Sequence, residues 1–328
     1  MSSINEEFLI SKYDLITSLK VSGNFYYIPL CIVKDKYILT FFNLKIVLLN
    51  IKSLSEVCSI KEEETYPSTV CNFCNYILKL KDDRYALGYR HGDIKILEIN
   101  LDLKEMNIAQ TMKIDNEYIS TIIELTNDNL LCSCIYRKVT IFKKNEKGEY
   151  YKLKDINREK YGFDSVFQVN ENIFFGSTCM ANEICLYNFE TGQNILTKNI
   201  NEITGWPHTS AKIGQNYALV GGITKLYLID LTNLNIINQI EIEQIESILF
   251  FNGYIFAGGK SGDEVKIFQY KLKEEEKTLE KISELKLKNI IDGVGEILFF
   301  KYGKYLTLYI TSRASSNKCP INIYGYHN

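Results

Sequence analysis

The chain has 328 residues, 46% hydrophobic and 24% charged, with 38 basic and 40 acidic side chains and a net charge of −2. That balance supplies no global field to draw nucleic acid or an anionic membrane. No run of 18 apolar residues exists to span a bilayer. Tyr (23) and Phe (17) are abundant while Pro (4) is rare, a composition suited to many strands. Nine cysteines, an odd number lying mostly in strand-like runs, predict a reduced compartment, cytoplasmic with a nuclear location left open. The stretch from Met1 to Val21 carries Glu6, Glu7 and Asp14 and is expected to be neither a signal nor a transit peptide.

In chain order, the first predicted element is a strand over 12–22. A unit over 25–60 follows, with strands at Tyr37–Phe42, Lys45–Leu48 and Glu56–Ile60. The next covers 72–114, with Tyr85–Tyr89 and Asp93–Ile96. The third, 118–156, holds Ile119–Leu125, Leu130–Cys134 and Lys138–Ile141. The fourth, 164–200, holds Ser165–Val169, Ile173–Ser177 and Glu183–Leu186. The fifth, 208–242, holds Tyr217–Gly222, Lys225–Leu228 and Ile236–Ile242. The sixth, 245–288, holds Ile245–Phe251, Tyr254–Gly259 and Glu264–Ile267. The last, 294–326, holds Tyr305–Tyr309 and Pro320–Ile323. Within 271–288 the charged run is expected to be a loop with a strand, or a short helix.

Seven segments, beginning at Lys45, Asp93, Lys138, Glu183, Lys225, Glu264 and Pro320, place branched apolar residues second and fourth, and start 39 to 56 residues apart. That period fits four-stranded sheets repeated around an axis. The fold is therefore expected to be all-β, a single-domain, seven-bladed β-propeller of four-stranded antiparallel sheets. Each blade is read as strands A to D from the axis outward. No residues remain for a D strand after the last C strand, so 12–22 is expected to supply it and close the ring, removing an exposed edge.

The hairpins Ala86–Ile96 and Phe256–Ile267 are similar to the B-to-C hairpin of the WD-repeat family. Leu228-Ile229-Asp230-Leu231 and Leu186-Tyr187-Asn188-Phe189 fall at that family's terminal Trp-Asp site. The resemblance covers nearly the whole chain, although no Trp-Asp dipeptide occurs and the one Trp, Trp206, precedes Pro207. It implies an interaction platform on which D–A and B–C loops share one face. On that mapping Arg90, His91, Tyr136, Arg137 and Arg313 fall in B–C turns. Arg158, Tyr161, Trp206 and His208 fall in D–A connections. Four of five arginines thus share the face, against 33 lysines placed mainly elsewhere. Arg, Trp and Tyr are the types enriched at interface hot spots, and Arg pairs carboxylate or phosphate through a planar fork. These nine residues are the expected partner-binding set, for a protein or peptide of acidic or phosphorylated character, with Trp206 as apolar anchor.

Catalysis is not expected. Only three histidines occur, and no Gly-x-Ser-x-Gly, phosphate loop or dinucleotide fingerprint is present. Cys71 and Cys74 have the spacing of half a zinc site but lack a second pair, so neither a metal nor a cofactor is expected. Two alternatives stay open. One is a structural subunit of a larger complex that contacts its neighbours through blade edges, which exposed Tyr and Ile on D strands would mark. The other follows from Tyr89-Arg90-His91-Gly92, a distant echo of the Arg-Arg-Gly motif of phosphoinositide-binding propellers.

Overall fold

The computed structural model describes residues 9–22, 29–42, 44–62, 73–115, 117–159, 161–178, 180–200, 209–288, 294–302, 305–312 and 318–326. The chain falls into two compact units, one of residues 29–200 and one of residues 1–28 with 201–328. Strand β1 (Tyr13–Ser22) follows a short 3-10 turn at Ile10–Lys12.

The 29–200 unit holds four sheets. Sheet 1 is β2 (Leu30–Val33), β3 (Tyr37–Phe42), β4 (Lys45–Asn50) and β5 (Glu56–Lys61). Sheet 2 is β6 (Cys74–Lys79), β7 (Tyr85–Tyr89), β8 (Asp93–Asn100) and β9 (Glu105–Lys113). Sheet 3 is β10 (Ile119–Glu124), β11 (Leu130–Cys134), β12 (Lys138–Lys144) and β13 (Tyr150–Asn157). Sheet 4 is β14 (Ser165–Gln168), β15 (Ile173–Thr178), β16 (Glu183–Asn188) and β17 (Asn194–Asn199).

The other unit holds three. Sheet 5 is β18 (Ser210–Ile213), β19 (Tyr217–Gly221), β20 (Lys225–Asp230) and β21 (Ile236–Glu241). Sheet 6 is β22 (Glu243–Phe251), β23 (Tyr254–Ser261), β24 (Glu264–Lys273) and β25 (Thr278–Lys286). Sheet 7 joins β26 (Val294–Tyr302), β27 (Tyr305–Ser312) and β28 (Lys318–Tyr326) to β1 in the order β1-β28-β27-β26. The expected outer strand is therefore in place, running antiparallel from Tyr13 opposite Tyr326 to Ser22 opposite Lys318. All seven sheets are four-stranded, and in the other six the hydrogen-bonded order follows the chain.

The recurrent motif is the third strand of every sheet. The strands begin with it at Lys45, Asp93, Lys138, Glu183, Lys225 and Glu264. These strands are apolar on both faces because both faces are covered, so β4, β16 and β20 bury all four middle residues. Between sheets 2 and 3, Ile94, Ile96, Ile119, Ile122 and Phe142 share one core. Between sheets 3 and 4 it is Val139, Phe163, Phe174 and Tyr187. In the other unit Leu226, Leu228, Ile245 and Tyr270 join sheets 5 and 6, and Tyr13, Ile267, Leu285 and Tyr324 join sheets 6 and 7. The 271–288 segment is a hairpin arm: β24 ends at Lys273, a turn spans 274–277, and β25 completes sheet 6.

Every third-to-fourth-strand ladder also contains a β-bulge. The unpaired residues are Val57, Ala109, Leu153, Ile195, Ile237, Ile282 and, on β1, Ile16. In six sheets the shift falls directly after the fourth residue of the motif, for example between Ile141 and Phe142. In sheet 6 it falls two residues later, between Gln269 and Tyr270. A bulge adds right-handed twist to the outermost strand and spoils it as a template for edge pairing.

Candidate interaction surface

The expected partner-binding residues that lie among the described ones all belong to the 29–200 unit. Trp206, His208 and Arg313 lie outside the described residues. Tyr136 and Arg137 sit in the β11–β12 turn, which is pinned from both sides. The Ile135 N–H donates to Tyr118 O at 2.9 Å, and Gly162 N–H donates to Ile135 O at 2.8 Å. The Arg158 N–H donates to Arg137 O at 2.7 Å. Gly162 is required there, since a Cβ would lie 1.7 Å from Cys134 O. On this pinned turn Arg137 takes φ +55° and Tyr136 stands 53% exposed. Arg137 is exposed and makes no ion pair among the described residues. Nearby, burial raises the carboxyl of Glu117, opposed by Lys138 and more weakly by Arg137.

Arg158 is used differently. Its Nη2 donates to Glu183 Oε2 at 2.8 Å and its Nη1 to Gly162 O at 2.9 Å. The guanidinium lies 4.2 Å from the Phe163 ring centroid, and the side chain is only 9% exposed. It ties the connection after β13 to β16 of sheet 4. Tyr161, on the same connection, is half-buried.

Arg90 is also drawn inward. Its Nε donates to Asn75 Oδ1 at 3.1 Å, and its guanidinium lies 5.0 Å from the Tyr118 ring and 5.9 Å from the Phe73 ring. His91 is buried, with Nε2 2.8 Å from Asp93 Oδ2. Burial pushes the Asp93 carboxyl up, but His91 and two lysines outweigh it and hold it below its ordinary value. The turn closes through Gly92 at φ +88°, where a Cβ would meet Asp115 O at 2.3 Å. Glu62 is buried as well, accepting from Tyr89 Oη at 2.9 Å and from Lys95. The structure thus brings Tyr136, Arg137 and Tyr161 together on adjoining connections, while Arg90, His91 and Arg158 brace the sheets beneath.

Sequence reasoning missed Met180, 47% exposed in the β15–β16 turn. That turn is the sheet 4 counterpart of the one carrying Tyr136. The available signal was an unbranched apolar side chain in a turn otherwise made of Thr, Cys, Ala and Asn.

Cys71 lies outside the described residues. Cys74 is buried, its Sγ 3.4 Å from Tyr76 O and its thiol pushed up by burial. Among the described residues no cluster of three or more His, Cys, Asp or Glu could hold a metal ion. No helix there is long and apolar enough to cross a membrane.

No family model matches the chain, and no curated protein matches it. Solved structures do. A chain of the mitotic checkpoint complex superposes with a TM-score of 0.72 at 11% identity, covering 96% of this chain and 96% of that one. U3-55K gives 0.70 at 12%, covering 93% and 98%. Raptor from Chaetomium thermophilum gives 0.71 at 12%, covering 94% of this chain and 29% of that one. The fold is a seven-bladed β-propeller. The neighbours are propellers of WD-repeat type, so the resemblance read from the hairpins holds at the level of architecture.

Proposed function

We propose that this propeller is a non-catalytic interaction scaffold. Its B–C turns and D–A connections hold a protein or peptide segment of acidic or phosphorylated character. The observation carrying this reading is the β11–β12 turn, where Tyr136 and Arg137 face solvent on a backbone fixed by hydrogen bonds from both flanking connections. A fixed turn presents an aromatic ring and a planar cation at little entropic cost, which is what interface anchors require. Tyr161 and Met180 extend the apolar part of this surface. Trp206, as apolar anchor, and Arg313 and His208 enter the proposed set from the sequence resemblance. Arg90, His91 and Arg158 serve it indirectly, by holding the connections in place. Its likeness to a chain of a multiprotein assembly agrees with a scaffold role.

Affinity capture from the native cell tests the reading. Arg137→Ala and Trp206→Ala are each compared with the unsubstituted protein at matched thermal stability. Truncating an anchor costs about 2 kcal/mol, roughly thirtyfold in occupancy. An unchanged partner set in both variants would refute it.

A further inference from the structure

The outermost strands carry a second surface. The same bulge recurs in seven ladders, and its unpaired residue lacks a cross-strand neighbour to cover it. Val57 and Ile237 are half-buried against their cores, Ile282 is half-buried, and Ala109 is small. In sheets 3 and 4 the position holds a large aliphatic left in solvent, Leu153 at 48% and Ile195 at 50% exposure. Tyr151, on the same strand as Leu153, is 47% exposed. The two sheets are neighbours, sharing a core and linked by Lys154 Nζ donating to Glu190 O.

Charge says what covers them. Residues 143–155 carry five lysines against three acidic residues, with Lys144 paired to Asp82 and Lys152 to Asp155. Lys143 lies opposite Tyr151 in the ladder, and neither it nor Lys147 makes an ion pair among the described residues. By contrast 264–286 of sheet 6 balances six lysines against six glutamates. Strand addition is the wrong mode of contact, since the bulge guards the edge. Its first residue is also clasped already: Gln110 of sheet 2 donates to Tyr150 O at 2.5 Å and accepts from Tyr150 N–H at 2.8 Å. Contact must come through side chains from residue 151 onward.

We infer that Tyr151, Leu153 and Ile195 form a docking surface on sheets 3 and 4 for an acidic, aliphatic segment of a partner protein, with Lys143 and Lys147 pairing its carboxylates. This surface shares no residue with the turn surface proposed above, so either can fail alone.

The test is a fluorescence-anisotropy titration of the full chain with a labelled peptide of alternating Glu and Leu. Peptides of alternating Lys and Leu, and of alternating Glu and Ser, serve as comparisons. The Glu–Leu peptide is expected to bind best and to weaken severalfold as salt rises from about 50 to about 300 mM. Leu153→Asn and Leu153→Glu are expected to weaken it roughly tenfold, with melting temperatures unchanged. Ile282→Glu and Tyr136→Ala should leave it alone. Equal binding of the Lys–Leu peptide, no loss in Leu153→Asn, or no binding at all would overturn the inference. So would Leu153-dependent sedimentation with phosphatidylcholine–phosphatidylserine vesicles in place of peptide binding, because the surface would then serve a membrane.

Discussion

Sheets 3 and 6 are built on one plan and finished differently. Both place a bulge between third and fourth strands, with an aliphatic residue unpaired at its tip. In sheet 6 the bulge is displaced by two residues. Its strands carry a ladder of ion pairs there: Lys266 with Glu284 at 2.8 Å and Glu264 at 3.1 Å, Lys281 with Glu284 at 2.5 Å, and Lys286 with Glu264. Ile282 is half-buried on this strand. In sheet 3 the lysines outnumber the acids and Leu153 stands in water. Only the outer side chains decide whether such an edge is self-neutralised or left open to a partner. Exposed apolar tips cost solubility, and a use for them is the simplest reason for their presence.

Substitutions can break or sharpen that contrast. The largest effect is expected inside the 29–200 unit, where Arg158→Ala would strand Glu183 and strip the cover from Phe163. About 2 kcal/mol should be lost in denaturant unfolding, whereas Arg137→Ala on the facing turn should change stability by less than about 0.5 kcal/mol. Comparable losses for both would erase the distinction drawn between brace and contact. Next is Lys266→Ala, which removes the hub of the sheet 6 ladder. It should cost under about 1 kcal/mol in low salt and less in molar salt, because exposed pairs are screened. Leu153→Ser should lie within about 0.5 kcal/mol of the parent. A loss above 1 kcal/mol, read from chemical denaturation, would mean that Leu153 packs like Ile282.

The smallest effect concerns acid. Burial pushes the Asp82 carboxyl up, but Arg84 at 2.8 Å and Lys144 at 2.7 Å outweigh it and hold it at about 2. A lowered native value stabilises the fold above the ordinary carboxylate range, and that contribution fades as pH falls from near 4 toward 2. Asp82→Asn should therefore flatten stability over this interval and leave the neutral-pH profile parallel to the parent. An unaltered acid limb, followed by tryptophan-free signals such as far-ultraviolet dichroism, would contradict the pairing.

The architecture was largely legible in the sequence, and the surface much less so. Third strands repeat because they are covered on both faces, so Ile46, Ile94, Val139, Ile184, Leu226 and Val265 recur in one register. The outer strand β1 was legible because nothing else could pair with β28. Bulges were not, since one inserted residue breaks the alternation by which strands are read, as at Leu153 between Lys152 and Lys154. Placement in a turn also cannot tell an outward arginine from an inward one. Arg158 and Arg137 both sit beside a turn, but Phe163 and Glu183, brought from elsewhere in the chain, capture only the former. Met180 escaped notice because the equivalence of its turn to the one carrying Tyr136 rests on the sheet order. The charged 271–288 run took the loop-with-strand form, with the end of β24, a turn over 274–277 and then β25.

Hydroxyl-radical footprinting of the isolated protein and of its native assembly tests the central claim most directly, that the uncovered outer residues are contacts awaiting a partner. Leu153, Ile195 and Tyr136 should label rapidly in isolation, Ile282 and Tyr150 slowly, and the first three should become protected in the assembly. Ile282 labelling as fast as Leu153, or equal labelling of all three in both samples, would contradict it.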